Sequence, residues 1–322
     1  MSNVSRRTVL ALGAAALATP AFAQKAPRVK GPRVWLDLDQ NELDDAYDQS
    51  VYAPNQRQVT GRYATNSEAT RLRLGPPQRY AYGPTPVEAL DVFRARRAHA
   101  PVNVFVHGGA WRGGVARNYA FPAELFVNAG AHYVVLDFNA VQEVQGSLFP
   151  MADQVLRAIA WVYRNAASFG GDPERLYVSG FSSGAHLASV ALTTDWARDF
   201  GLPANLIKGA VCCSGMYELK PVRLSKRSDY IKFTDEMEQA LSSQRHLERL
   251  NAPVVVAHGD FETPEFQRQA RDFAAAVRAA GKPVKYVVGR GYNHFEMMET
   301  LASPSGVLGR EVLEQMNLPA PA

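Results

Sequence analysis

From residue 79 onward, short runs rich in β-branched and aromatic residues alternate with longer runs of helical period. The strand candidates are RYAYG (79–83), ALDVFR (89–94), NVFVHG (103–108), HYVVLDF (132–138), RLYVSG (175–180), KGAVCCSG (208–215), PVVVAHG (253–259) and VKYVVG (284–289). Helical runs occupy 119–129, 151–168, 184–197, 264–280 and 307–316. Several strands are apolar without interruption, the pattern of a sheet covered on both faces. A β-α-β-α order requires right-handed crossovers, so the chain is expected to form a doubly wound, mostly parallel α/β sheet with helices on both faces. The stretch 216–250 breaks the alternation; it is long and charged and carries Pro221, and it reads as a small cap excursion over the sheet. No Gly/Ser-rich linker or repeat divides the chain, so 24–322 reads as a single domain.

The first 23 residues read as a targeting segment. Arg6-Arg7 precede a short Ala/Gly-rich apolar stretch and then Ala21-Phe22-Ala23, an A-x-A cleavage pattern. The paired arginines look like a bacterial twin-arginine export signal, implying cleavage near Ala23 and a periplasmic or secreted protein. The apolar stretch is too short for a stable membrane span. Net charge is +4, from 35 Lys and Arg against 31 Asp and Glu, and two of those arginines belong to the leader. The remaining basic residues are scattered without an aromatic stripe, so nucleic acid is not an expected partner. Cys212 and Cys213 are adjacent in an apolar strand, where they read as small hydrophobes and not as a disulfide or metal site.

Open α/β sheets place their sites at the carboxyl ends of the strands, so the residues just past each strand decide the chemistry. After NVFV comes His107-Gly108-Gly109-Ala110-Trp111, where glycines let the backbone turn and point amides into a cleft. Such amides can hold a developing oxyanion. After RLYVS comes GFSSG (180–184) at the start of a helical run. Gly-x-Ser-x-Gly between strand and helix is a nucleophile elbow, which puts Ser182 at the exposed centre and lends the Ser183 backbone N–H to the oxyanion hole. After PVVVA comes His258-Gly259-Asp260-Phe261-Glu262, and after VKYVVGRG comes Tyr292-Asn293-His294. The order Ser, acid, His is that of the α/β-hydrolase fold. His294 is the expected base. The acid is either Glu262, favoured by spacing, or Asp260, favoured by residue type. Trp111, Phe181, Met216 and Tyr217 sit near strand ends and are candidates to line an aromatic pocket.

With these residues placed, the chain resembles the arylformamidase (kynurenine formamidase)-like and carboxylesterase branch of the α/β-hydrolases. The resemblance runs from ELDDAYDQSVYAP (42–54) to the last helix, through HGGAW, GFSSGAHLA, FETPEFQRQA and NHFEMMETL. The family's acid precedes Ser or Thr and then Pro-Glu-Phe, which falls on Glu262 before Thr263-Pro264-Glu265-Phe266; the family residue is Asp, so Glu262 departs from it. The family often carries His where this chain has Phe181. The resemblance implies a cofactor-free and metal-free serine hydrolase acting on a small-molecule ester or aryl formamide, with Gly109, Ala110 and Ser183 binding the oxyanion. An N-formylkynurenine formamidase, an acyltransferase and a non-catalytic binding protein on the same scaffold are the alternatives.

Overall fold

A computed structural model describes residues 29–321; the leader and its cleavage site near Ala23 lie outside the described residues. The described chain opens with a ribbon of β1 (Arg33–Trp35) and β2 (Leu38–Asp39). It enters α1 (Gln40–Ala46) through a capping box: the Asp39 carboxylate accepts from the Glu42 N–H at 3.0 Å and the Glu42 carboxylate from the Asp39 N–H at 2.9 Å. After α2 (Gln56–Leu74) come β3 (Gln78–Ala81), β4 (Ala89–Phe93), β5 (Ala100–Val106), α3 (Ala123–Ala129), β6 (His132–Leu136) and α4 (Phe149–Asn165). The second half runs β7 (Gly171–Phe181), α5 (Ser183–Leu192), α6 (Trp196–Phe200), β8 (Ile207–Cys213), α7 (Lys220–Leu224) and α8 (Asp235–Leu241). It ends with β9 (Val254–Gly259), α9 (Pro264–Ala279), β10 (Val284–Gly289), α10 (His294–Glu299) and α11 (Val307–Gln315).

Strands β3 to β10 form one sheet in the order β10-β9-β8-β7-β5-β6-β4-β3. Neighbours from β6 through β5 to β10 pair parallel, and β4 runs antiparallel to both β3 and β6. This is the doubly wound, mostly parallel sheet expected from the alternation. Each strand sends alternate residues to opposite layers. Val102, Val104 and Val106 pack with α4, α5 and α9, whereas Phe105 packs with α2, α3 and α11 on the other face. The same alternation separates the two cysteines. Cys212 belongs to the first layer and Cys213 to the second, and both are free. Burial pushes the Cys212 thiol up to about 12, so both behave as packing groups. Among the described residues, no helix is long and apolar enough to cross a membrane.

Two departures from the sequence reading have physical causes. Helix α2 goes unread because its buried stripe is Val59, Tyr63, Ser67 and Thr70, half of it polar. Ser67 is buried by accepting the Phe121 N–H at 3.1 Å, a contact invisible to apolar periodicity. The helical run 184–197 divides into α5 and α6, since Asp195 caps a new helix by accepting the Arg198 N–H at 3.1 Å. Within 216–250, Leu219, Val222, Ile231, Met237 and Leu241 share the core cluster beneath the sheet. The excursion is thus held down by apolar burial, with Lys232 N–H bonded to the Gly146 carbonyl at 2.9 Å.

Register brings the informative turns together. Val106 pairs with Gly180, Phe181 with Cys213, Cys213 with Ala257 and Gly259 with Gly289. The carboxyl ends of β5, β7, β8, β9 and β10 therefore lie side by side. Beneath them, His186 on α5 donates from Nε2 to the Leu241 carbonyl at 2.9 Å and accepts at Nδ1 from Trp111 Nε1 at 3.2 Å. Burial lowers its pKa from the ordinary 6.5 to about 4. The unfolded chain therefore binds this proton more readily than the folded one. Its contribution is fully present above pH 6.5 and drains away as pH falls toward 4, by about 3 kcal/mol. Denaturant titrations of wild type and His186→Gln from pH 7 to 4 should show the stability gap largest at pH 7 and closing toward pH 4; parallel profiles would contradict it.

Candidate active site

The serine at the elbow is held by backbone crowding. Ser182 has φ +57° and ψ −124°, a conformation costly for any residue with a Cβ. It exists because β7 turns into α5 with almost no clearance. A Cβ on Gly180 would sit 2.6 Å from the Gly184 carbonyl oxygen, and one on Gly184 would sit 2.1 Å from that of Val106. Glycine is thus obligatory on both sides, for contact reasons and not for flexibility. The Ser182 N–H is anchored to the Cys213 carbonyl at 2.9 Å.

His294 is the first residue of α10. Asn293 caps that helix by accepting from the N–H groups of Phe295 and Glu296, and Asn293 is itself tied to Asn55 Oδ1 at 2.9 Å. The imidazole lies among the rings of Phe181, Phe266 and Phe295 at 4.8 to 5.1 Å. Its Nε2 is 3.0 Å from Ser182 Oγ and its Nδ1 is 2.8 Å from Glu262 Oε2.

Glu262 is 1% exposed. Its Oε1 accepts from the Gly259 N–H at 2.8 Å and from Ser214 Oγ at 2.6 Å; Oε2 accepts from Gln49 Nε2 at 3.2 Å as well as from His294. Burial alone would push this carboxyl up. The charge and hydrogen bond of His294 outweigh it, with the Gly259 and Ser214 donors, and hold the group below the usual carboxylate range.

Asp260 points elsewhere. Residues 259–262 form a tight turn, with the Glu262 N–H bonded to the Gly259 carbonyl at 3.3 Å, and not an extended segment. Asp260 Oδ1 accepts the Gly291 N–H at 2.7 Å, and Oδ2 lies 3.7 Å from Arg290 Nη1. It braces the turn that leads to His294 without meeting the imidazole. Glu265 pairs with Arg268 on α9 and accepts from Tyr47 OH at 3.1 Å.

The turn after β5 runs through left-handed backbone at Gly109 (φ +127°), Ala110 (φ +55°) and Trp111 (φ +60°). Gly109 and Ala110 border the cavity over Ser182. Ser183, the first residue of α5, takes the Trp111 N–H on its Oγ at 3.2 Å and so ties this turn to the elbow. His107 braces the turn from below, stacked between Tyr119 and Phe138, with Nδ1 donating to the Gly108 carbonyl at 2.9 Å.

The cavity has a volume of about 320 Å³. Of the four residues expected to line a pocket, Phe181 does. Trp111, Met216 and Tyr217 are instead fully buried core: the Trp111 ring edges onto His186 and Tyr217 stacks on Phe273 at 4.0 Å. Large rings at strand ends can turn under the sheet edge as readily as over it. The opposite wall comes from the N-terminal segment, to which the sequence assigns no site residue, with Tyr47, Gln49, Thr60 and Tyr63 joined by Tyr119 and Arg227. Gln49 and Ser214 are the two side chains that complete the Glu262 cage. Nothing in local pattern marks a polar residue whose partner lies 213 or 48 positions away.

The chain is similar in sequence and in fold to known proteins. The family model described as BD-FAE matches residues 90–214. A kynurenine formamidase of Danio rerio is 27% identical over 295 residues, covering 88% of this chain and 98% of that protein. Esterase LipQ of Mycobacterium tuberculosis is 30% identical over 260 residues, covering 71% of this chain and 61% of the relative. Among solved structures, esterase LipW from Mycobacterium marinum superposes with a TM-score of 0.62 at 16% identity, covering 84% of this chain and 90% of that one. A propionate-bound esterase of Thermogutta terrifontis gives 0.63 at 20% identity, covering 77% and 97%. The sheet, the matched family model and the relatives together make this chain an α/β-hydrolase of the arylformamidase and carboxylesterase branch, an enzyme of the hydrolase class.

Proposed function

We propose that the protein cleaves a carboxylic ester or an aryl formamide through Ser182 as nucleophile, His294 as base and Glu262 as orienting acid. The observation that carries this reading is the unbroken row Ser182 Oγ, His294, Glu262, with spacings of 3.0 and 2.8 Å. With its proton on Nδ1 and donated to Glu262, the imidazole presents a lone pair at Nε2 to the serine hydroxyl. As Ser182 Oγ attacks the carbonyl carbon, Nε2 takes its proton, and Glu262 stabilises the resulting cation. The N–H groups of Gly109, Ala110 and Ser183 receive the oxyanion. His294 then protonates the departing alcohol or aniline, and water repeats the sequence on the acyl-enzyme.

A narrower reading, N-formylkynurenine hydrolysis, draws support from the alignment that covers 98% of the Danio rerio kynurenine formamidase. A kcat/KM comparison of N-formylkynurenine, simple aryl formamides and p-nitrophenyl esters decides between the two. The Arg6-Arg7 leader supports work outside the bacterial cytoplasm, which fractionation of cells expressing wild type and Arg6→Lys/Arg7→Lys protein tests.

Ser182→Ala should lower kcat by about 10⁴–10⁶-fold with an unchanged circular dichroism spectrum, and Ser183→Ala by far less, since its proposed donor is backbone. Glu262→Gln should cost several orders of magnitude in kcat. Asp260→Asn should cost far less, because it loosens a turn and leaves the imidazole's partner in place. A more damaging Asp260→Asn would transfer the acid's role to that residue.

The Glu262 carboxyl is held below its usual range, so it stays ionised through mildly acid pH. The acid limb of kcat/KM should therefore fall with unit slope, one proton on His294 silencing the base. A slope of two at mildly acid pH would show that the carboxylate titrates in the same window.

A further inference from the structure

The cavity over Ser182 holds a cation that no acid neutralises. Arg227 stands on the single turn of 3-10 helix Lys226–Asp229, is 7% exposed, and borders the same cavity as Ser182 and His294. Its Nη1 donates to Tyr230 OH at 2.9 Å and its Nη2 to the Tyr47 carbonyl at 2.8 Å. Its Nε is buried without an acceptor. The guanidinium carbon lies 5.6 Å from the Trp111 ring and 6.0 Å from the Tyr47 ring. All of these neighbours are neutral.

The acids nearby are already engaged. Asp48, on the same cavity wall, is paired with Lys226 Nζ at 2.7 Å and accepts from Ser50 Oγ at 2.5 Å. Glu262 is filled by its four donors. Among the described residues, no carboxylate forms an ion pair with Arg227. The phenols of Tyr63 and Tyr119 on the wall bring no negative charge either, since burial raises both.

A buried cation without a counter-ion is a costly thing to keep in a fold. A strut needed only for packing could be apolar. A guanidinium carries five N–H donors in a planar fork, and the protein uses two of them here. That fork matches a carboxylate. We infer that Arg227 is a specificity-determining residue that docks a carboxylate borne by the substrate, so the enzyme acts on small esters or formamides carrying an acid group away from the scissile bond. The inference rests on Ser182 being the nucleophile of the cavity. A volume of about 320 Å³ is at the small end for ligand sites, so the acid and the scissile carbonyl belong to one compact molecule.

The test uses 4-acetoxybenzoate and its neutral counterpart 4-acetoxybenzamide. Wild type should favour the carboxylate by tenfold or more in kcat/KM, mainly through KM. Arg227→Gln should shrink that ratio at least tenfold, and Arg227→Lys should recover part of it. A wild-type ratio at or below one, or a ratio untouched by Arg227→Gln, overturns the inference and leaves the hydrolase reading standing. If Ser182→Ala turns over both compounds at the wild-type rate, the nucleophile assignment fails and the inference falls with it. Should Arg227→Gln fail to fold, calorimetry on wild type replaces it: benzoate should bind tenfold or more tighter than benzamide, and equal affinities overturn the inference.

Discussion

A single buried carboxylate joins the parts of this molecule that matter. Glu262 accepts from Gln49 in the N-terminal segment, from Ser214 after β8, from the backbone N–H of Gly259 at the end of β9 and from His294 at the head of α10. A carboxylate this deep would otherwise give up its charge. Each donor is therefore required by the charge, and the charge fixes each donor. The arrangement couples chain segments more than 200 residues apart to one imidazole position. It also explains why the residues before β3 belong to the site: they supply a donor to the carboxylate and one wall of the cavity.

The second constraint is steric, and it acts on the serine. Parallel pairing of β5 with β7 brings the Gly-rich turn and the elbow into contact, and the sites of closest approach are those where a Cβ would meet backbone oxygen. Strain at Ser182 is thus a consequence of how tightly α5 returns against β5. Since β7 is central in the sheet, the strained turn is buttressed from both sides, by β5 and by β8. Glu262 and His294 follow β9 and β10, toward the sheet edge, where the Gly259 register with Gly289 aligns their turns. A Cβ on Gly259 would lie 2.2 Å from the Tyr292 oxygen, so these two turns are packed as closely as the elbow.

How much of the molecule is legible in the chain depends on the range of the forces involved. The inner strands β4, β5, β6 and β9 were legible because continuous apolar runs report burial on both faces, and the exposed edge strands β3 and β10 through their β-branched and aromatic residues. The strand–turn–helix around Ser182 was legible because turn chemistry is local. Helix α2 was not, because Ser67 and Thr70 occupy its buried stripe and are made tolerable only by distant partners. The pocket wall failed for a related reason: whether Trp111 or Tyr217 faces the cavity or the core depends on left-handed backbone at 110–111 and on Phe273 stacking, neither of which is local in sequence. Arg227, in a charged stretch, looks from sequence like any solvated arginine.

Turn geometry and not residue type decides which of Glu262 and Asp260 meets His294. In an extended segment the two side chains would leave the backbone on the same side, and only reach would separate them. Here the Gly259 carbonyl accepts from the Glu262 N–H, so the chain reverses between the two positions and the side chains diverge. Asp260 turns toward the Gly291 N–H, and the short aspartate suits that backbone contact at 2.7 Å. Glu262 turns inward toward β8 and α10, where a longer side chain reaches Ser214 with one oxygen and His294 with the other. The extra methylene lets one carboxylate span strand and helix while its own backbone stays in the turn. An aspartate at this position would have to draw the turn inward to hold both contacts, against the close packing of Gly259 on the Tyr292 carbonyl.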